Sequence, residues 1–166
     1  MSSKNRKSSF VVLALAGLVF VPGAVLSESE HHEVSKHHLG LFLGSGWETK
    51  RDGHEDDKGL AVGLEYVYRL RQKWGIGGVV ETLGDETIRE ITFVVPVSFH
   101  PAGGWRLFTG PGYETTEEHD HLLWRLGVGY GFHLGKRWSI APEGMVDLVE
   151  TGATIWIGGV AIGYHF

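Results

Sequence analysis

Two acidic stretches of this 166-residue chain contain histidine and have the composition of a metal site. One includes His54, Asp56 and Asp57, and the other includes Glu118, His119 and His121. Imidazole with carboxylate suits zinc, copper or nickel, whereas carboxylates alone suit calcium or magnesium. A weakly bound divalent cation therefore fits these residues, but a solvated acidic surface fits them as well. We favour the solvated surface and predict no resident cofactor.

The elements that would hold these residues are β-strands, because bulky and small residues alternate along most of the chain. Between 59 and 70, every even position is bulky, whereas the odd positions begin with glycine and alanine. Near the end, Trp156, Val160 and Tyr164 share one face, and Ala161 and Gly163 share the other. The pattern predicts eight antiparallel strands, at about 39–48, 59–70, 74–83, 90–99, 105–114, 121–134, 138–149 and 154–166. We also expect a bulge or bend at Pro111, because proline cannot donate to a ladder.

The two faces predict which side of the sheet meets an apolar environment. A large outward face with a small inward face is typical of a narrow closed barrel in lipid. A lipocalin-like barrel would instead bury the bulky face and expose a polar one. Here the second face is rich in glycine, of which the chain has 25. The predicted fold class is therefore all-β, an eight-stranded antiparallel transmembrane β-barrel, with aromatic girdles at the strand ends.

The amino terminus has the features of a cleavable secretory signal peptide over residues 1–27. Lys4, Arg6 and Lys7 precede an apolar run that is short for a transmembrane anchor, the alternative interpretation. Residues 28–38 are predicted to be a polar, His-rich tail, and 39–166 the barrel. Without the signal, 12 basic residues stand against 20 acidic ones, a formal net charge of −8. This excess of negative charge argues against nucleic-acid binding. The chain has no cysteine, so it forms no disulfide.

The connections between strands differ in length and charge. Those at 71–73 and 135–137 are short and basic, as expected of periplasmic turns, whereas 50–58, 84–89 and 115–120 are longer and mostly acidic, as expected of external loops. With its alternating strands, its girdle and its aromatic last residue, the chain resembles the small OmpA/OmpX-like outer-membrane proteins. The resemblance implies a location in the outer membrane of a Gram-negative bacterium. It also implies an assembly signal at Tyr164 and Phe166, which the outer-membrane assembly machinery would bind. The implied surroundings are outer-membrane lipid and lipopolysaccharide, and the implied state is a monomer.

Charged residues on the inward face are candidates for a site in the lumen. An eight-stranded barrel is only wide enough for side chains, so buried charges there must be paired. We expect a network of ion pairs that plugs the lumen, made by Glu65, Arg69, Glu81, Arg106, Arg125, Glu143 and Asp147. A gated narrow ion path or a proton-linked site is the alternative function for the same residues.

Some barrels of this size are lipid A acyltransferases or deacylases, which the resemblance makes relevant. Ser98 with His100, and Ser139 with His133, would lie at the periplasmic end. Because no Ser–His–acid group is expected at the outer rim, we predict that the chain is not an enzyme. The predicted function is a contribution to envelope integrity or surface interaction. The alternatives are a narrow channel for small ions or solutes, and a surface protein that binds divalent metal.

Overall fold

The computed structural model describes residues 35–49, 55–84, 89–116 and 120–166, with the backbone alone at 55–58 and 89. These residues form one sheet of antiparallel strands, which we number β1 to β8. The strands are β1 (His37–Thr49), β2 (Glu55–Arg71), β3 (Trp74–Gly84), β4 (Arg89–Val94 and Val97–Phe99), β5 (Trp105–Thr115), β6 (Asp120–Tyr130 and Phe132–Leu134), β7 (Trp138–Val149) and β8 (Thr154–His165). Within the described residues, no helix is long and apolar enough to cross a membrane.

Two strands, β4 and β6, are each interrupted without any change of register. β4 keeps one pairing with β5 on both sides of its gap, with Val94 opposite Gly112 and Val97 opposite Thr109. The gap contains Pro96, which has no N–H to donate. β6 is interrupted at Gly131, whose N–H instead bonds to the carbonyl of Gly104 at 2.9 Å. Each pair of segments therefore counts as one strand, which makes eight.

The bulge expected at Pro111 is absent, although the ladder between β4 and β5 lapses opposite it. β5 continues through Pro111 with an unbroken register to β6. The carbonyl of Pro111 accepts a hydrogen bond from the N–H of Val95 at 3.0 Å. It is the facing strand, at Val95 and Pro96, that loses its regular ladder. Both prolines lack a donor at this point: Pro111 has no N–H to donate to Val95, and Pro96, whose carbonyl accepts from the N–H of Gly77 in β3, has none to donate in return.

The sheet closes on itself because β1 pairs with both β2 and β8. Leu41 lies opposite Leu64 on one side and opposite Ile162 on the other. The predicted eight-stranded barrel is confirmed. Two predicted boundaries were wrong: β1 begins at His37, inside the expected tail 28–38, and β2 begins at Glu55, inside the expected loop 50–58. Strands extended further than predicted because backbone pairing continues past the apolar positions.

The bulky face points outward, so the lipocalin-like alternative was wrong. Leu64 is 54% exposed and Leu122 60% exposed, whereas the inward Ala61 is fully buried. Aromatic pairs gather at one end of the barrel: Trp74 with Phe99, Trp105 with Tyr130, and Trp138 with Tyr164, at centroid distances of 4.7, 5.1 and 4.9 Å. We call this the turn end, since it also holds the turns at 72–73, 100–104 and 135–137. The opposite end, with the connections 50–54, 85–88, 116–119 and 150–153, is the loop end.

The lumen is filled in layers, which the pairing of β6 with β7 makes visible. From the loop end, the paired inward residues are Leu123 and Val149, Arg125 and Asp147, Gly127 and Met145, Gly129 and Glu143. The order is apolar, charged, apolar, charged. Glycine in β6 makes room for larger neighbours, because a Cβ at Gly127 would overlap the ring of Phe108 and one at Gly129 would lie 2.9 Å from Glu143. The glycines of the small face thus accommodate side chains from adjacent strands.

Candidate functional site in the barrel lumen

The charged layer nearer the loop end is centred on Arg125. Its guanidinium donates from Nε and Nη2 to the two carboxylate oxygens of Asp147, at 2.7 and 2.6 Å. Nη2 also donates to Oε1 of Glu81 at 2.8 Å, so the cluster links β6 and β7 to β3 across the lumen. All three residues are 1% exposed. Charge-assisted hydrogen bonds of this bidentate kind are among the strongest in proteins.

The second charged layer, nearer the turn end, is centred on Arg106 in β5. Its two terminal nitrogens donate to the two carboxylate oxygens of Glu65 in β2, with Nη1 at 2.5 Å from Oε1. Nη1 also lies 3.6 Å from Oε1 of Glu143 in β7. The guanidinium covers the ring of Phe108, with its carbon 4.5 Å from the centroid, a favourable cation–π distance. Each arginine therefore contacts two carboxylates.

Little free space separates the two clusters. A cavity of about 20 Å³ lies between them, bordered by Arg125, Glu81 and Glu143 together with the rings of Phe42 and Phe108. A buried water needs roughly 10–15 Å³ of such volume, so this space accommodates about one water molecule. A hydrated ion does not fit there without movement of the surrounding side chains.

A larger cavity, of about 200 Å³, occupies the lumen at the turn end. Its polar wall consists of His38, Arg69, His100, Arg106, His133, Ser139, Glu143 and His165. The ring of His165 stacks on that of His38 at 4.6 Å and on that of His133 at 5.6 Å. Stacked rings do not direct their nitrogens towards one point. Among the described residues, no group of three or more His, Asp and Glu side chains could hold a metal ion.

Ser139, which was expected near His133 at this end, contacts a different histidine. Its Oγ lies 3.0 Å from Nε2 of His165 rather than against His133. A nucleophilic serine needs a base that is itself oriented by an acid. The carboxylate of Glu65 faces Nδ1 of His38 at 3.7 Å and pairs with Arg106. Ser98 is buried and packs against Gly75, where a Cβ would lie 2.8 Å from its Oγ.

His100 follows the last residue of β4 and lines the large cavity. Burial lowers the pKa of His100, and the neighbouring positive charges of Arg69 and Arg106 lower it further, to about 4. The ring is therefore neutral at pH 7.

The structure brings together six of the seven residues predicted for the lumen network. Arg69 is the exception: it is half-buried at the mouth of the large cavity, and its Nη1 donates to the carbonyl of Gln72 at 3.2 Å. Within the described ranges it forms no salt bridge. His38 was assigned to the tail and so was not expected in the lumen, and His165 shares the inward parity of β8 but was not among the residues predicted for the network.

The predicted metal ligands are not brought together in the described part of the chain. His54, Glu118 and His119, and the side chains of Asp56 and Asp57, lie outside the described residues. His121 is described, and its Nδ1 lies 3.8 Å from Oε1 of Glu150. At the other end, Phe166 pairs with His37 through two backbone hydrogen bonds, of 3.0 and 3.2 Å. Tyr164 packs against Trp138 and against the ring of Phe166.

Solved structures of other proteins share this architecture. The barrel is similar to Ail, the attachment invasion locus protein of Yersinia pestis, at 14% identity over 80% of this chain and 99% of that one, with a TM-score of 0.60. It is similar to Neisserial surface protein A at 7% identity, over 80% and 98%, with a TM-score of 0.60. The N-terminal β-barrel domain of Pseudomonas aeruginosa OprF matches at 11% identity, over 80% and 98%, with a TM-score of 0.61. No protein-family model and no curated protein matches the sequence.

At these identities the comparisons establish the fold. The chain has the architecture of the eight-stranded outer-membrane β-barrels of the OmpA/OmpX type. Its described barrel corresponds to nearly the full length of each of these three chains. The predicted resemblance is therefore confirmed at the level of architecture, while the roles of individual residues rest on the geometry above.

Proposed function

We propose that the protein is a non-enzymatic integral protein of the bacterial outer membrane that contributes to envelope integrity or surface interaction. The observation that carries this proposal is the apolar outer wall. Exposed leucine, isoleucine, valine and aromatic side chains cover the outward face of every strand, from Leu39 to Ile162. Such a surface would aggregate in water, whereas it matches the hydrocarbon region of a bilayer.

Orientation follows from the two ends of the barrel. Outer-membrane barrels have short periplasmic turns and longer external loops. The turn end would then face the periplasm, and the loop end would face lipopolysaccharide and the cell exterior. The solved Ail structure carries the name of an attachment protein, which supports a surface role for a barrel of this shape. The acidic loop end is the surface that would make such contacts, with the divalent ions bound to lipopolysaccharide as its simplest partners.

Membrane fractionation tests the location, and gel mobility tests the closed barrel. We expect the full-length protein in the outer-membrane fraction, with an unboiled form that migrates faster than the boiled form because the intact barrel resists unfolding by detergent. The matched control is a known outer-membrane barrel in the same fractions. A single heat-insensitive band in the soluble periplasm would contradict the proposal.

We further propose that the lumen is closed to ions. Two observations support closure: the arginine clusters that cross the lumen, and the cavity of about 20 Å³ that separates them. The alternative function, a narrow channel, would require both clusters to open together. Each has direct contacts from an arginine to carboxylates on other strands, so opening would leave buried charges unpaired.

Conductance in planar bilayers distinguishes a plug from a channel. Purified protein reconstituted in KCl is expected to show no steady open state, and Glu65→Gln, which keeps the side-chain shape, is expected to be equally silent. Glu150→Gln, on the exposed loop end, is the control for insertion. A steady wild-type conductance that Glu65→Gln abolishes would overturn the plug and favour the channel.

A further inference from the structure

A shallow apolar groove lies on the outer wall of the barrel, across the seam where β8 pairs with β1. Its volume is about 520 Å³, and it is lined by the side chains of Leu39, Leu41, Leu64, Trp138, Ile162 and Tyr164. The register places Leu39 opposite Tyr164 and Leu41 opposite Ile162. These two levels are two residues apart, or about 7 Å along a strand. The groove therefore extends from the aromatic girdle towards the middle of the apolar wall, far enough to hold the upper part of one acyl chain.

The end of the groove at the girdle is bordered by a cation. Trp138 and Tyr164 stand at this end with their rings in a T-shaped contact. The hydroxyl of Tyr164 accepts a hydrogen bond from Nη1 of Arg137 at 3.1 Å, which fixes the guanidinium at the edge of the groove. Lys136 and Arg137 are both exposed, and neither forms a salt bridge within the described residues. Two positive charges are therefore available beside an apolar groove.

The outer rim of the turn end carries charges of one sign in the described part of the chain. Its exposed charged side chains are those of Lys36, Arg71, Lys73, Lys136 and Arg137. The carboxylates nearest this end, Glu65 and Glu143, face the lumen, where both contact Arg106. An anionic group that approaches the rim from the side of the bilayer is therefore attracted by the cations, and these carboxylates do not repel it.

We propose that this groove binds one anionic phospholipid, with an acyl chain against Leu41 and Ile162 and the headgroup phosphate against Arg137 and Lys136. The inference rests on the location proposed above, because only a membrane protein meets such a ligand on its outer wall. A phosphate offers two oxygens to a guanidinium, which suits the donors of Arg137. A second copy of the chain is a poorer occupant, since it would bring a second cationic rim close to the first.

Lipid retention from mixed bilayers tests the site. The full-length protein is inserted into nanodiscs of equal parts phosphatidylcholine and phosphatidylglycerol, released into mild detergent, and examined by native mass spectrometry. The wild type is expected to retain one phosphatidylglycerol in preference to phosphatidylcholine. Arg137→Gln is expected to lower this preference about fivefold, the contribution of one cation near an anionic surface. Ile162→Trp is expected to abolish retention, because the larger ring fills the groove.

Each variant has a matched control on another part of the wall. Lys73→Gln removes the same charge from the turn between β2 and β3, which does not border the groove. Val97→Trp adds the same ring to β4, two residues from Phe99, just as Ile162 is two residues from Tyr164. Both controls are expected to retain phosphatidylglycerol as the wild type does. Unboiled gel mobility verifies that every variant remains folded.

Three results would overturn the site while leaving the proposed location intact. The first is equal retention of the two lipids by the wild type. The second is an equal loss of preference in Lys73→Gln and Arg137→Gln, which would mean that the whole rim attracts anionic lipid without a defined site. The third is a dimer free of lipid, which would assign the groove to a second copy. A protein that does not insert into nanodiscs at all would contradict the membrane location and this site together.

Discussion

Replacing Arg125 with alanine is expected to destabilise the barrel by about 3–5 kcal/mol, the range for removing one partner of a buried ion pair. Asp147 and Glu81 would be left facing each other, each 1% exposed and without the cation that both contact. Water that enters the vacated space would restore hydrogen bonds to the two carboxylates but would not supply the lost positive charge. The measurement is the urea concentration at which the fast-migrating folded form disappears from unboiled gels.

Two further variants separate charge from volume at this position. Arg125→Met keeps most of the side-chain volume but removes the donors, so it should be nearly as unstable as alanine. Adding Glu81→Gln and Asp147→Asn to Arg125→Met should recover most of the loss, because no buried charge then remains. If the triple variant is no more stable than Arg125→Met alone, loss of packing and not loss of pairing limits stability.

The outer wall of the barrel was predictable from the sequence because it depends on local periodicity. Side chains in a strand alternate between faces, so the parity of Leu60 or Tyr164 assigns each to lipid without knowledge of its neighbours. The inward arginines and carboxylates could be identified by the same rule. Their partners could not, because Arg106 meets Glu65 across the lumen and 41 residues away. Such a pair depends on how far each strand is shifted against the next.

Proline and histidine mark the places where local rules failed. Pro111 was expected to distort its own strand, but its missing N–H faces Val95 in β4, so its pairing with β6 continues without a bulge. His38 was assigned to a polar tail because a run of histidines lacks the alternation of a strand. Its backbone nevertheless pairs with Val67 and His165, which places the ring in the lumen. In both cases the outcome depends on which residues pair across neighbouring strands, and a sequence pattern does not contain that information.

Introducing arginine at Val160 is expected to destabilise the barrel by about 2–4 kcal/mol, the cost of a lipid-facing charge at the bilayer midplane. Val160 is 39% exposed on the outer face of β8, four residues from Trp156 and four from Tyr164. Since these aromatics mark the two interfaces, Val160 lies near the centre of the apolar band. Urea unfolding in lipid vesicles provides the measurement.

The depth dependence of that cost distinguishes a membrane wall from an ordinary apolar surface. Leu134→Arg places the same charge on an exposed residue at the turn end, where the expected cost is about 0–1 kcal/mol. Val160→Met controls for side-chain length without charge. In water, both arginines would be solvated and their effects would be equal. Equal effects in vesicles would therefore mean that lipid does not surround this face, and the location proposed for the protein would be wrong.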